Sequence, residues 1–109
     1  MKRIAQIIQL KPEAIDEYKR IHAEVWPGVL ATIAACHIKN YSIFLREPEN
    51  LLFAYFEYHG DDLEADMAKM AEDETTQRWW KITDPMQKPL TTAADGEWWA
   101  PAEEVFHED

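Results

Sequence analysis

The sequence predicts an α+β fold in which helices cover one face of an antiparallel sheet. Three observations indicate this: a strand pattern at residues 4–10, a hairpin pattern at residues 40–58, and a helical pattern after each. The order is strand, helix, strand, strand, helix, strand, which is the split βαβ or ferredoxin-like plan. We expect residues 1–109 to form a single domain, because this length suits one hydrophobic core.

The first strand is predicted at residues 4–10, where both faces carry apolar side chains, as in the centre of a sheet. A helix should begin near Pro12, because proline is favoured in the first helical turn and carboxylates follow it. Pro27 disfavours helical geometry at Trp26. We therefore expect Trp26 to lie at a bend, with either a kink or a second helix over residues 28–36.

Residues 40–46 and 51–58 predict two strands joined by a turn at residues 47–50. Tyr41, Ile43 and Leu45 should share one face of the first of these strands. The second strand is apolar on both faces, so we expect it to be central.

The C-terminal half begins with Asp61 and Asp62, which predict the N-cap of a helix over residues 63–70. The acidic run at residues 72–74 should separate that helix from a second helical segment at residues 75–82. Residues 85–96 contain two prolines and predict a loop. A short final strand is predicted at residues 104–106.

A sheet with two such central strands leaves one apolar face uncovered by helices, and monomers rarely expose a large apolar patch. A two-fold dimer that stacks sheet on sheet is the simplest cover. We therefore expect a homodimer, which forms a dimeric α/β barrel.

Composition restricts the partners. The formal net charge of −10, from 11 Lys and Arg against 21 Asp and Glu, disfavours nucleic acids and acidic small molecules. Five tryptophans favour an uncharged ring as the ligand, either a sugar or another aromatic molecule. No apolar run approaches the roughly 18 residues of a membrane span, and glutamines interrupt the N-terminal apolar stretch, so we expect a cytoplasmic protein.

The sequence predicts no metal site and no reactive thiol. Cys36 is the only cysteine, so an internal disulfide is excluded, and we expect it to pack as a small apolar residue. The four histidines share no short ligand spacing; they are His22, His37, His59 and His107.

Three ring side chains recur at four-residue intervals: Tyr18, His22 and Trp26. On a helix, that spacing places them in one stripe, here at the edge of the apolar face. His22 is then either a core residue satisfied by a backbone carbonyl or an acid–base group, since its ordinary pKa lies near 6.5. The helix alone does not decide between these two interpretations.

Tyr41, Trp79 and Trp80 are further candidates for a cleft between helices and sheet. Successive helical residues point about 100° apart, so both indoles cannot face the core fully, and one is free to line a cavity. Core packing or dimer contact is the alternative for these side chains.

Four segments, in this order, resemble the L-rhamnose mutarotase family. They are Tyr18-x-x-x-His22-x-x-x-Trp26-Pro27, Asn-Tyr-Ser-Ile-Phe-Leu at 40–45, Asn-Leu-Leu-Phe-Ala at 50–54 and Gln-Arg-Trp-Trp at 77–80, and residues 103–106 resemble the family's tail. The resemblance spans nearly the whole chain. It implies a cytoplasmic isomerase that interconverts the α and β anomers of L-rhamnose, acts in rhamnose metabolism, forms homodimers and needs no cofactor or metal.

Position by position, the resemblance implies that His22 is the catalytic proton donor and that the sugar-binding residues are Tyr18, Tyr41, Trp79 and Trp80. Trp26 belongs to the motif as a supporting residue. Two features depart from the family pattern: His37 stands where glycine is expected, and Trp98 and Trp99 make the region before the tail aromatic.

Mutarotation requires one proton to leave the anomeric hydroxyl and another to reach the ring oxygen, so that the ring opens and recloses on either face. We hypothesise that protonated His22 donates to the ring oxygen while Tyr18, Tyr41 or a water relays the other proton. Trp79 and Trp80 would stack on the apolar C–H face and the C6 methyl group of the sugar.

Two other functions fit the same pattern. A dimeric α/β-barrel monooxygenase of the haem or quinone type also places Trp and His in its cleft, and it predicts tight binding of haem or quinone. A non-catalytic ligand-binding or dimerisation module predicts no acceleration of anomer exchange.

Overall fold

The computed structural model describes residues 1–109 and confirms the predicted α+β order. Its elements are β1 (Lys2–Leu10), α1 (Ile15–His22), α2 (Pro27–Ala35), β2 (Ile38–Arg46), β3 (Leu51–Tyr58), α3 (Leu63–Glu72), α4 (Glu74–Thr83), β4 (Gln87–Lys88) and β5 (Ala100–Ala102). The strands form one antiparallel sheet in the order β2-β3-β1-β4, and β5 also pairs with β1. This is the ferredoxin-like plan.

β1 and β3 are the central strands, as their two apolar faces predict. Ile8 lies opposite Leu52, and Ile4 lies opposite Phe56. The face that carries these residues is the buried one: Ile8 and Leu52 pack with Leu10 and Tyr18 in the core beneath the helices.

The first helical region contains two helices separated at Trp26. A 3-10 turn at Pro12–Ala14 leads into α1, which ends at His22. Trp26 has an extended backbone (φ −57°, ψ 134°), as expected for a residue before proline, and α2 begins at Pro27. The bend at Trp26 is confirmed, and it separates two helices rather than kinking one.

β2 begins two residues before its predicted start and contains a bulge. The pairing with β3 shifts between Lys39 and Ser42, where Asn40 has a φ of 50°. His37, just before the strand, has a φ of 64°. Glycine adopts this left-handed conformation without steric cost, which explains why glycine is expected at that position.

Two aspartates begin the later helices. The side chain of Asp62 accepts a hydrogen bond from the amide of Ala65, and Asp73 accepts one from the amide of Thr76 at 2.9 Å. Asp62 confirms the predicted cap. Asp73 starts α4 by the same N-cap geometry, directly after α3 ends.

The predicted final strand at residues 104–106 is wrong. The strand lies earlier, at Ala100–Ala102, and pairs with Ala5 to Ile7 of β1. Glu104 leaves the sheet and forms a salt bridge with Arg3 at 3.0 Å. The predicted loop at residues 85–96 also contains the two-residue strand β4, which pairs with the end of β1.

The sheet face opposite the helices carries exposed aromatic side chains. Phe44 of β2 is 63% exposed and Phe53 of β3 is 38% exposed. The C-terminal tail adds Phe106, which is 78% exposed. None of the four helices combines the length and apolar character needed to cross a lipid bilayer.

Candidate functional site

A cavity of about 380 Å³ lies between the sheet and the helices. Its wall includes every site residue that the sequence predicted, namely Tyr18, His22, Tyr41, Trp79 and Trp80. Residues remote in sequence, from α1, β2 and α4, therefore meet at one site.

Tyr18 and His22 are stacked side by side on α1. Their ring centroids are 4.0 Å apart with an interplanar angle of 26°, as the four-residue helical spacing allows. Tyr18 is buried, whereas His22 is half-buried at the cavity. The stripe that the sequence predicted therefore presents a phenol and an imidazole to the same space.

The imidazole of His22 has a defined tautomer. Its Nδ1 lies 2.7 Å from the backbone carbonyl oxygen of Tyr18. A carbonyl oxygen only accepts hydrogen bonds, so Nδ1 carries a proton and donates it to this oxygen. In the neutral ring the other nitrogen, Nε2, is consequently an acceptor, and it has no hydrogen-bond partner within the protein.

Burial lowers the pKa of His22 below its ordinary value of 6.5, and the hydrogen bond to the Tyr18 carbonyl opposes this shift. The lowered pKa favours the neutral imidazole at neutral pH. The neutral ring offers Nε2 as a proton acceptor, whereas the sequence-based hypothesis starts from the protonated imidazole.

Trp79 and Trp80 occupy different environments, as their consecutive positions predict. Trp79 is only 6% exposed. Its ring packs edge-on against the rings of His22 and Trp26, with centroid distances of 5.3 Å and 5.1 Å. Trp80 is 36% exposed. Trp26 does not line the cavity, so it supports the site through Trp79.

Tyr41 reaches the cavity from the bulged part of β2. Its ring packs against Phe56 with centroids 5.4 Å apart, on the helix-covered face of the sheet. Burial raises the pKa of Tyr41, so its phenol remains protonated at neutral pH.

Gln87 is among the wall residues that sequence analysis missed. It is a buried residue of β4, and its Nε2 donates a hydrogen bond to the hydroxyl oxygen of Tyr18 at 3.3 Å. Its Oε1 accepts one from the indole Nε1 of Trp98 at 2.9 Å. A lone glutamine in a predicted loop carries no sequence signal, but the aromatic pair Trp98 and Trp99 pointed to this region.

The cavity is nearly free of formal charge. No lysine or arginine lines it, and Asp84 is the only carboxyl group in its wall. Burial raises the pKa of Asp84. No cluster of three or more His, Cys, Asp or Glu side chains could hold a metal ion. An uncharged, ring-shaped ligand matches such a wall.

Comparisons with known proteins point in the same direction. A family model described as L-rhamnose mutarotase matches residues 3–108. An L-rhamnose mutarotase from Oceanobacillus iheyensis is 38% identical over 109 residues, covering 100% of both chains. Another from Listeria monocytogenes is 42% identical over 88 residues, or 81% of this chain and 82% of that protein.

Solved structures extend the comparison. The crystal structure of an L-rhamnose mutarotase from Formosa agariphila superposes with a TM-score of 0.78 at 25% identity and covers 100% of both chains. Tetracenomycin F2 cyclase from Streptomyces glaucescens superposes with a TM-score of 0.72 over 100% of this chain and 98% of that one. Its identity is 14%, so this second likeness concerns the fold alone.

Proposed function

The chain belongs to the L-rhamnose mutarotase family, and we propose that it interconverts the α and β pyranose anomers of L-rhamnose, as an isomerase. One observation carries the proposal: an imidazole and a phenol lie stacked, with ring centroids 4.0 Å apart, in the wall of a largely apolar cavity that no lysine or arginine lines. These are the two proton-transfer groups that ring opening requires.

The hydrogen bonds support a role for each of these two groups. His22 Nε2 is the free acceptor, so it takes the proton from the anomeric hydroxyl. The Tyr18 oxygen already accepts a hydrogen bond from Gln87, which leaves its own O–H free to donate to the ring oxygen. The bond between C1 and the ring oxygen then breaks, and the carbonyl forms at C1.

Ring closure reverses both transfers. Tyr18 regains its proton from the sugar hydroxyl as that oxygen attacks the carbonyl, and His22 returns its proton to the new anomeric oxygen. Rotation about the bond from C1 to C2 between the two steps decides which anomer forms. His22 is therefore the proton donor of the closing step, and no cofactor takes part in the reaction.

The remaining candidates bind the sugar. Trp79 and Trp80 offer apolar indole faces to the C–H face and the C6 methyl group, and Tyr41 offers a protonated phenol to a sugar hydroxyl. Since no cation lines the cavity, it suits a neutral sugar better than a sugar acid or phosphate.

The test is NMR measurement of the exchange between anomers for a panel of neutral sugars: L-rhamnose, L-fucose and L-lyxose. We expect accelerated exchange for L-rhamnose. Binding without acceleration would support a non-catalytic module, and a haem or quinone absorbance titration that saturates at one ligand per chain would support a monooxygenase. Either result would overturn the proposal.

We further propose that residues 1–109 act as one domain in a cytoplasmic homodimer. The exposed Phe44 and Phe53 on the open sheet face support a second copy as the cover. Light scattering should give the mass of two chains, and Phe44→Asp should shift the protein towards monomer. A wild-type monomer at high concentration would contradict this assembly.

A further inference from the structure

We propose that Gln87 and Trp98 are positioning residues that fix the Tyr18 hydroxyl as a proton donor towards the cavity. This inference rests on the proposed function, because it assigns a role to groups that act through Tyr18. Neither residue belongs to the family motif on which the resemblance is based. The three side chains come from α1, β4 and the segment before β5.

The donors and acceptors of these two hydrogen bonds can be assigned by starting from Trp98. An indole N–H only donates, so the Gln87 atom that lies 2.9 Å from Trp98 Nε1 must be the carbonyl oxygen Oε1. The amide of Gln87 cannot then be flipped. Its Nε2 faces the Tyr18 hydroxyl at 3.3 Å, and it can only donate there.

Burial makes this arrangement specific. Gln87 and Tyr18 are each only 5% exposed, so bulk water does not easily replace the hydrogen bond between them. The Tyr18 oxygen is an acceptor on the side of Gln87. Its hydrogen consequently points elsewhere, and the cavity is the open direction.

The hydrogen bond from Gln87 also changes strength during the reaction. As Tyr18 gives its proton to the ring oxygen, negative charge develops on the phenol oxygen. A donor to a charged oxygen forms a bond roughly twice as strong as one to a neutral oxygen. Gln87 therefore stabilises the transition state more than the resting enzyme, and it opposes the rise in the pKa of Tyr18 that burial causes.

Substitutions at position 87 separate this role from packing. Gln87→Met keeps the length of the side chain but removes the donor, and we expect kcat to fall about 10²-fold with little change in KM. Gln87→Glu replaces the donor to Tyr18 with an acceptor. An ionised carboxylate accepts a hydrogen bond from Trp98 and also one from the Tyr18 hydroxyl, whose hydrogen then no longer points into the cavity. It should be slower than Gln87→Met at neutral pH.

The pH dependence of Gln87→Glu is the diagnostic readout. Burial raises the pKa of a carboxyl group, and once protonated this group donates to Tyr18 as the amide does. The ratio of kcat for Gln87→Glu to kcat for Gln87→Met should therefore rise as pH falls. His22, Tyr41 and Asp84 also face this cavity, and their titration is common to both variants, so the ratio largely removes it.

Two further variants complete the design. Gln9 is the matched control, because its side chain donates a hydrogen bond to the carbonyl oxygen of Pro89, close to Gln87 in sequence, at 2.8 Å. It forms no hydrogen bond with Tyr18, so Gln9→Met should leave kcat unchanged. Trp98→Phe removes the indole N–H that donates to Gln87, and it should lower kcat about fivefold. It also tests the inference if Gln87→Glu fails to fold.

The outcomes are distinct. The inference would be overturned if the ratio of kcat for Gln87→Glu to kcat for Gln87→Met did not change with pH. Wild-type kcat in Gln87→Met, or a loss of kcat in Gln9→Met equal to that in Gln87→Met, would overturn it too. If Gln87→Glu fails to fold, wild-type kcat in Trp98→Phe would overturn it as well. If the wild-type protein itself does not accelerate exchange of L-rhamnose anomers, the proposed function fails, which is a different result from an active enzyme that is indifferent to position 87.

Discussion

Replacing Tyr18 with phenylalanine should damage stability and catalysis for two separable reasons. The substitution removes one oxygen and keeps the ring that stacks on His22 at 4.0 Å. The Nε2 donor of Gln87, in a residue that is 5% exposed, then loses its partner. The enzyme also loses the hydroxyl group that donates a proton to the ring oxygen of the sugar.

The expected stability loss follows from the unpaired donor. Leaving a buried polar group unsatisfied costs about 1–3 kcal/mol. For a chain of 109 residues, 1 kcal/mol corresponds to about 4 °C in Tm. We therefore expect Tyr18→Phe to lower Tm by about 4–12 °C in a calorimetric scan, and to lower kcat by about 10²–10⁴-fold.

The double variant Tyr18→Phe/Gln87→Met distinguishes the two effects. Removing both partners of the hydrogen bond between Tyr18 and Gln87 is nearly neutral, and Trp98, which loses its acceptor, is 40% exposed and can donate to water instead, so part of the lost Tm should return. The lost activity should not return, because the proton donor is still absent. Since Gln87 acts through Tyr18, the double variant should have the same kcat as Tyr18→Phe.

Recovery of activity along with Tm would refute the reasoning, because it would show that the Tyr18 hydroxyl contributes only to folding. A double variant tenfold slower than Tyr18→Phe would show that Gln87 acts on the sugar directly.

Three other predictions concern single residues. Because the pKa of His22 is lowered and its neutral form is the base, the fall in kcat on the acid side should have its midpoint below pH 6.5; a midpoint above pH 6.5 would contradict this. His37→Gly should raise the free energy of unfolding by about 1 kcal/mol in urea denaturation at pH 8, because it relieves a φ of 64°; destabilisation would show that the His37 contact with Asp66 dominates. Gly60→Ala should lower the free energy of unfolding by about 2 kcal/mol, since its new Cβ would overlap with the hydroxyl oxygen of buried Tyr58; unchanged stability would contradict this packing.

The sequence predicted those features that local chemistry determines. β3 was located at its observed bounds because its apolar residues alternate on two faces between clear turn signals. Pro27 determined the bend at Trp26, and the four-residue spacing of Tyr18 and His22 placed both rings on one side of α1. The resemblance then indicated Tyr41, Trp79 and Trp80, which line the same cavity in the structure.

The features that were missed depend on contacts between remote segments. β4 has two residues and pairs only because the end of β1 is free there, so its own sequence contains no strand pattern. Residues 104–106 have strand propensity, but the edge of β1 is already paired with Ala100–Ala102. Gln87 becomes a site residue only through Tyr18 and Trp98, which no periodicity in the sequence reveals.

Saturation-transfer NMR on L-rhamnose tests the central claim most directly. At neutral pH, the wild-type protein should transfer saturation between the α and β anomeric signals. His22→Ala should transfer at least about 10²-fold more slowly while keeping a cooperative unfolding transition. If His22→Ala exchanged the anomers as fast as the wild type, the acid–base account of this cavity would be contradicted.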